Sequence, residues 1–163
     1  MELLTPTPAP TPAARSTAVD AAALDTHLPG WDLADAYVVD GPGPVDAATA
    51  ARLLFDLTPR GRAALGLRDL LVRPFGLEPV LGVRDGLFPV LHRSADRVVL
   101  GLDDRHLDFR VLVDVEPGRV RCTTGVRRRP LGRAYFAVVG PFHRSVVPAM
   151  LERAARRGWT SRG

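Results

Sequence analysis

Residues able to perform acid–base chemistry are concentrated in the segment GLDDRHLDFR, residues 101–110. It holds three aspartates, one histidine and two arginines between two apolar runs. A carboxylate beside a histidine orients the imidazole and raises its pKa, which is how general bases are made. His106 with Asp104 is therefore a candidate catalytic pair. The interpretation we favour is an ion-pair cluster that secures a turn, in which Asp108 pairs with Arg110 or with an arginine of a neighbouring strand.

The strand that follows decides which of these side chains can meet a ligand. If it begins by His106, then His106, Asp108 and Arg110 share one face, opposite Leu107 and Phe109. His106 and Arg110 are then candidate ligand contacts.

Three further candidate contacts lie outside this segment: Arg68, Tyr135 and His143. The Tyr135 hydroxyl can hydrogen-bond a carbonyl or phenol in a pocket, or it can be satisfied by backbone in the core. His143 can exchange a proton at the mouth of a cavity, and it is a candidate catalytic residue for that reason. The favoured alternative is that it caps the start of the last helix or anchors that helix to the sheet.

Metal and thiol chemistry receive little support from the sequence. Asp103, Asp104, His106 and His143 have no recognised ligand spacing, so we expect no metal and no cofactor. Cys122 is the one cysteine, which excludes an internal disulfide. It is predicted to lie on the apolar face of its strand, where a thiol is inert.

Arginine supplies all 22 basic residues, and lysine is absent. The run Arg127–Arg129, together with Arg119, Arg121 and Arg133, can form a stripe that binds phosphates. Only 6% of the residues are aromatic, however, and single-strand binders stack bases on exposed aromatic side chains. We therefore expect a solvated hairpin tip and no nucleic-acid partner, and the role of the arginine run stays open.

Length and composition predict one globular domain. The chain has 163 residues, enough for a single core. No apolar run reaches the roughly 18 residues of a membrane span, and the first residues lack the features of a secretory signal, so we expect a cytoplasmic protein with no membrane partner. Residues 1–17, rich in Pro, Thr and Ala, are expected to be a disordered tail, and residues 18–160 the domain.

Hydrophobic periodicity predicts the elements that position the candidate residues. A strand is expected over 31–40, and helices over about 47–57, with Asp46 as N-cap, and about 61–74. After Gly76 the apolar pattern changes to alternation. This alternation predicts strands at about 86–93, 96–103, 106–116, 119–128 and 132–140. The last helix is expected from His143 onward, with a kink or a later start at Pro148.

Short connections between these strands make them antiparallel neighbours. The predicted class is α+β: a curved antiparallel sheet of six or seven strands wrapped around a long C-terminal helix, with two short helices after the first strand. A helix of about 15 residues is about 22 Å long and does not fill the concave side of such a sheet. The pattern therefore predicts a cavity between the sheet and the helix.

This element order resembles the helix-grip fold of the START, birch-pollen-allergen and polyketide cyclase superfamily (SRPBCC). Three stretches are similar to the bacterial domain-of-unknown-function family 2867: LRDLLVRPFGL (67–77), LGLDDRHLDFRVLVDV (100–115) and LGRAYFAVVGPFHRSVVPAML (131–151). The resemblance covers roughly residues 25–155 and implies a fold and a cavity but no reaction. In that family the domain occurs alone or behind a nicotinamide-dinucleotide-binding reductase domain, whereas this chain contains no GxGxxG. The family's His-Asn pair before the Gly-Arg motif is also replaced here, by Arg128-Arg129-Pro130-Leu131, which weakens an enzymatic inference.

The favoured function is binding of an apolar or aromatic small molecule in this cavity. The polar groups that would orient it are Arg68, His106, Arg110, Tyr135 and His143. One alternative is a cyclase, dehydratase or isomerase of secondary metabolism, in which His106 or His143 moves protons beside Asp104. Another is an accessory partner of a reductase. A domain of this kind suits either a monomer or a homodimer.

Overall fold

The computed structural model describes residues 11–41, 46–63, 66, 88–104, 107–130 and 132–159, without the side chains of residues 132–139, 141 and 142. Its elements, in chain order, are β1 (Ala14–Ser16), α1 (Ala21–His27), β2 (Leu33–Asp40), α2 (Ala47–Phe55), β3 (Val90–Arg93), β4 (Arg97–Asp103), β5 (Leu107–Glu116), β6 (Arg119–Arg128) and α3 (Gly132–Arg156). The α+β class is confirmed.

The six strands form one curved antiparallel sheet in the order β1-β2-β6-β5-β4-β3. Strands β3 to β6 follow one another along the sheet, as the short connections predict. The backbone amide of Asp104 donates to the carbonyl of Leu107 at 3.0 Å across the β4–β5 turn. Gly118 has a φ of 71° in the β5–β6 turn, a conformation that suits glycine because it has no Cβ.

Both faces of the sheet carry apolar side chains that pack against helices. We call the face toward α2 and α3 the inner face; it carries Val111 and Val113 of β5 with Val120 and Cys122 of β6. The opposite, outer face packs against α1 through Leu112 and its neighbours. Asp108 and Arg110 therefore share the face opposite Leu107 and Phe109, and Cys122 lies on the apolar inner face, as predicted.

Capping by aspartate fixes the start of both short helices. The side chain of Asp46 accepts a hydrogen bond from the Thr49 amide at 3.0 Å, as predicted for the N-cap of α2. Asp20 accepts from the Ala23 amide at 3.1 Å and begins α1, a helix that the periodicity does not predict. Helix α1 precedes β2 and is an additional helix, whereas α2 follows β2 as predicted.

The C-terminal helix begins at Gly132, and the strand predicted over 132–140 is wrong. A short apolar run such as AYFAVV has no clear period, and such a run is compatible with either a buried strand or a buried helix. Helix α3 continues through Pro141 and Pro148 to Arg156, so it has 25 residues and is about 37 Å long. It lies across β1, β2 and β6.

Two further boundaries differ from the prediction. Strand β1 pairs Ala14 with Val39 of β2, so the sheet includes three residues of the segment predicted to be a disordered tail. The strand expected at 86–93 is described only over Val90–Arg93. Of the helix predicted over 61–74, residues 61–63 and 66 are helical and the remainder lies outside the described residues.

No helix in the described part of the chain is long and apolar enough to cross a membrane.

Candidate functional site

Asp108 is the buried centre of an ion-pair cluster on the outer face. Its side chain is 0% exposed, and Oδ2 accepts a hydrogen bond from Nη2 of Arg127 at 2.8 Å. Arg129 donates to Oδ1 at 3.2 Å. Because Arg127 belongs to the neighbouring strand β6, the ion-pair interpretation of the GLDDRHLDFR segment is confirmed for this residue.

Arg110 is also used structurally, on the same face. It donates from Nη1 to Oδ1 of Asp103 at 2.7 Å and from Nε to the carbonyl of His27 at 3.1 Å. These bonds tie β5 to β4 and to the end of α1, and the Arg110 side chain is only 12% exposed. The guanidinium, by its hydrogen bond, lowers the pKa of Asp103.

The arginine run has carboxylate partners throughout. Arg127 and Arg129 share Asp108, and Nε of Arg128 donates to Asp32 at 2.9 Å. Arg127 also donates to the carbonyl of Pro29 at 2.9 Å, which fastens the segment before β2 to the sheet. Charges held in this way stabilise the fold and offer less to a phosphate backbone.

His143 lies on the other side of the sheet. Its Nε2 is 3.2 Å from Oδ1 of Asp35, which points from β2 to the inner face. The contact anchors α3 to the sheet, yet both side chains reach solvent, with 25% of His143 and 30% of Asp35 exposed. Arg110 points to the outer face, so the structure does not bring these two predicted ligand contacts together.

Two polar residues flank this pair on the inner face. Thr124 is the register partner of Asp35 on β6, and Tyr37 is two residues along β2. Thr124 is 6% exposed, and its hydroxyl has no hydrogen-bond partner in the described part of the chain. Burial, and then the charge of Asp35, raises the pKa of Tyr37, so its phenol stays protonated and able to donate.

We call Asp35, Tyr37, Thr124 and His143 the inner-face cluster. It combines an imidazole held by a carboxylate with a neutral phenol and an unpartnered hydroxyl, a set that can bind polar atoms of a ligand or move a proton. Sequence reasoning found His143 but missed the other three. The signal was present in β2, where Asp35 and Tyr37 lie between Leu33 and Val39 on the same side of the strand.

Cys122 lies next to this cluster but takes no part in acid–base chemistry. It is the register partner of Tyr37 and is fully buried on the inner face. Burial raises the pKa of its thiol from 9.0 to about 12, so the thiol is protonated at neutral pH. The prediction of an inert thiol agrees with this environment.

Several predicted site residues lie outside the described part of the structure. Arg68 and His106 are not among the described residues, and the side chain of Tyr135 is not described. The backbone of Tyr135 belongs to α3, so its predicted place on a strand is wrong. Asp104 lies at the β4–β5 turn. Among the residues described, no three histidine, cysteine, aspartate or glutamate side chains come together as metal ligands.

The fold and the cluster define a small α+β protein with a long helix across one face of its sheet. The chain belongs to a family of proteins of unknown function (DUF2867), whose family model matches residues 27–150. The match runs from the end of α1 to the last part of α3 and includes all four residues of the inner-face cluster. Comparison with curated proteins and with solved structures finds no match.

Proposed function

We propose that this protein is a small-molecule-binding domain whose ligand lies between the inner face of the sheet and α3. One observation carries the proposal: the buried Thr124 hydroxyl has no partner among the described residues, and it lies beside a His143–Asp35 pair that solvent can reach. A buried polar group left without a hydrogen bond costs about 1–3 kcal/mol. A ligand oxygen or nitrogen that met Thr124 would recover that free energy.

Aromatic side chains beside the cluster favour an apolar or aromatic ligand. Phe109 lies on the inner face of β5. Its register partner is Val126, which is the next inward-facing residue of β6 after Thr124. Phe109 meets Phe88 edge to face at 4.8 Å between ring centroids, and Phe88 meets Phe55 at 5.8 Å. Such rings offer large apolar surface, and the polar groups then fix the orientation of the ligand.

The finer fold assignment is part of the same proposal. A curved antiparallel sheet with a long C-terminal helix across it supports the helix-grip fold of the START-like superfamily, in which a cavity lies between these two layers. A reductase partner, which rests on the family resemblance, and a homodimer, which a single domain of this fold suits as well as a monomer, both stay predictions.

A ligand screen tests the proposed function. Native mass spectrometry and thermal-shift measurements against aromatic and polyketide-like compounds should find at least one binder. Thr124→Val should lose most of the affinity for a binder with a polar group. Thr123→Val is the matched control, because Thr123 is equally buried but points to the outer face. Failure to bind any compound, or equal loss in both variants, would refute the proposal.

The His143–Asp35 pair also favours a second candidate, an enzyme that transfers a proton in a cyclisation, dehydration or isomerisation. A carboxylate-held imidazole is the arrangement that general bases use. The carboxylate is Asp35, whereas the sequence suggested Asp104. Incubating bound compounds with the protein in deuterium oxide tests this candidate: an enzyme should introduce deuterium at a carbon of the ligand, and His143→Gln should not. Binding without exchange would leave only the binding function.

A further inference from the structure

We infer that Asp35 holds His143 with its proton on Nε2, so that Nδ1 accepts a hydrogen bond from a ligand with a weakly acidic hydroxyl, a phenol or an enol. This inference rests on the proposed function, because it names the ligand class of the same site. It assigns Asp35 a positioning role that acts through the imidazole.

The tautomer follows from the contact itself. Oδ1 of Asp35 lies 3.2 Å from Nε2 of His143. An ionised carboxylate can only accept hydrogen bonds, so Nε2 must be the donor. In a neutral imidazole the other nitrogen, Nδ1, then carries the lone pair and is the acceptor. Within the described part of the chain, Asp35 is the one hydrogen-bond partner of the ring.

The surrounding groups select among ligands that could meet Nδ1. The Tyr37 phenol is neutral and can donate to the ligand's oxygen, while the Thr124 hydroxyl can donate or accept. Arg144 is close enough to act on Tyr37 and adds a positive charge at this end of the site. A phenol or enol oxygen that gives its proton to Nδ1 gains negative charge. These donors stabilise that charge.

Three matched probes test the ligand class on the full-length chain. Calorimetric titration with 2-naphthol, 2-methoxynaphthalene and naphthalene compares a donating hydroxyl, its methylated form and the bare ring system. We expect 2-naphthol to bind about tenfold more tightly than either of the others, a difference of about 1.4 kcal/mol. Asp35→Asn should abolish this preference, because an amide can also donate and no longer fixes the tautomer. Asp40→Asn, at the exposed end of the same strand, should retain it.

The outcomes separate this inference from the proposed function. Equal binding of all three probes would overturn the ligand class and leave the aromatic site intact. Binding of none would overturn the ligand class, while the wider ligand screen decides the proposed function. Loss of the preference in Asp40→Asn as well would remove the role of Asp35.

Nitrogen-15 spectra of histidine-labelled protein test the tautomer without any ligand. At a pH where the ring is neutral, His143 should show a protonated Nε2 and an unprotonated Nδ1, with its signals assigned by their absence from His143→Gln. A protonated Nδ1 would overturn the inference. We expect Asp35→Asn to contain a mixture of the two tautomers. A contact that only anchors α3 to the sheet would not require this result.

Discussion

On the outer face, two arginines bind the single buried carboxylate of Asp108. Its carboxylate is fully buried, and Arg127 and Arg129 both donate to it from half-exposed positions. Asp108→Asn removes the charge and weakens these bonds. Since hydrogen bonds to charged groups contribute about 1.5–3 kcal/mol, we expect a loss of about 2 kcal/mol in the free energy of unfolding, measured by urea denaturation.

An exposed ion pair provides the control for this prediction. Asp40 pairs with Arg15 at the end of β2, where both side chains are mostly in solvent. Solvent screening makes such pairs weak. Asp40→Asn should therefore change the free energy of unfolding far less than Asp108→Asn, and equal effects would show that burial of Asp108 does not matter.

Cys122 gives a pH-dependent prediction with a defined sign. Its thiol has a pKa of about 12 in the folded protein and 9.0 as its ordinary value. The contribution to stability is complete below pH 9, because the thiol is then protonated in both states, and it is lost as the pH rises toward 12, because only the unfolded chain ionises. The free energy of unfolding should fall more steeply in this range for the native chain than for Cys122→Ala. Parallel curves would contradict the prediction.

At the scale of elements, α1 docks so closely that the sheet needs a glycine. A Cβ at Gly125 would lie 2.5 Å from Cδ1 of Leu24, which is itself fully buried. Gly125→Ala should therefore cost about 1–3 kcal/mol by overpacking. Combining it with Leu24→Ala should recover part of that loss, so the double variant should be more stable than the sum of the two single variants predicts. Simple additivity, measured by chemical denaturation, would show that the two residues do not touch.

The docking of α3 depends on its buried stripe. Leu151 is fully buried in the inner-face core, whereas Val146 on the same helix is half-exposed. Leu151→Ala should lower the free energy of unfolding by about 3 kcal/mol, through lost burial and the cavity it leaves. Val146→Ala should change the free energy of unfolding by only a few tenths of a kcal/mol. Thermal unfolding monitored by circular dichroism distinguishes the two, and similar effects would place α3 differently from the structure.

Some of these elements could be predicted from the sequence and others could not. Strands β4 to β6 were predictable because they are rich in apolar residues, which recur at every second position in β5 and β6, and because short turns separate them. The first half of α3 was not, because its apolar run lacks a clear period. Asp35 and His143 are 108 residues apart in the chain, so their pairing depends on the tertiary fold and no local pattern predicts it.

At the scale of the whole molecule, the two faces of one sheet have different roles. The outer face uses buried and half-buried arginine–aspartate pairs to join strands and to fasten α1. The inner face carries a core and the inner-face cluster beneath α3. In the segment GLDDRHLDFR, which has a high density of charge, Asp108 and Arg110 point to the outer face. The inner-face cluster, where we place the candidate chemistry, lies on the opposite face of the sheet.

A crystal structure of the protein with its tightest binder from the ligand screen tests the central claim most directly. We predict that the ligand lies between the inner face and α3, with an oxygen within hydrogen-bonding distance of Nδ1 of His143 and a polar atom near the Thr124 hydroxyl. A ligand bound at the outer face, or an inner face so filled by side chains that it admits none, would contradict the account.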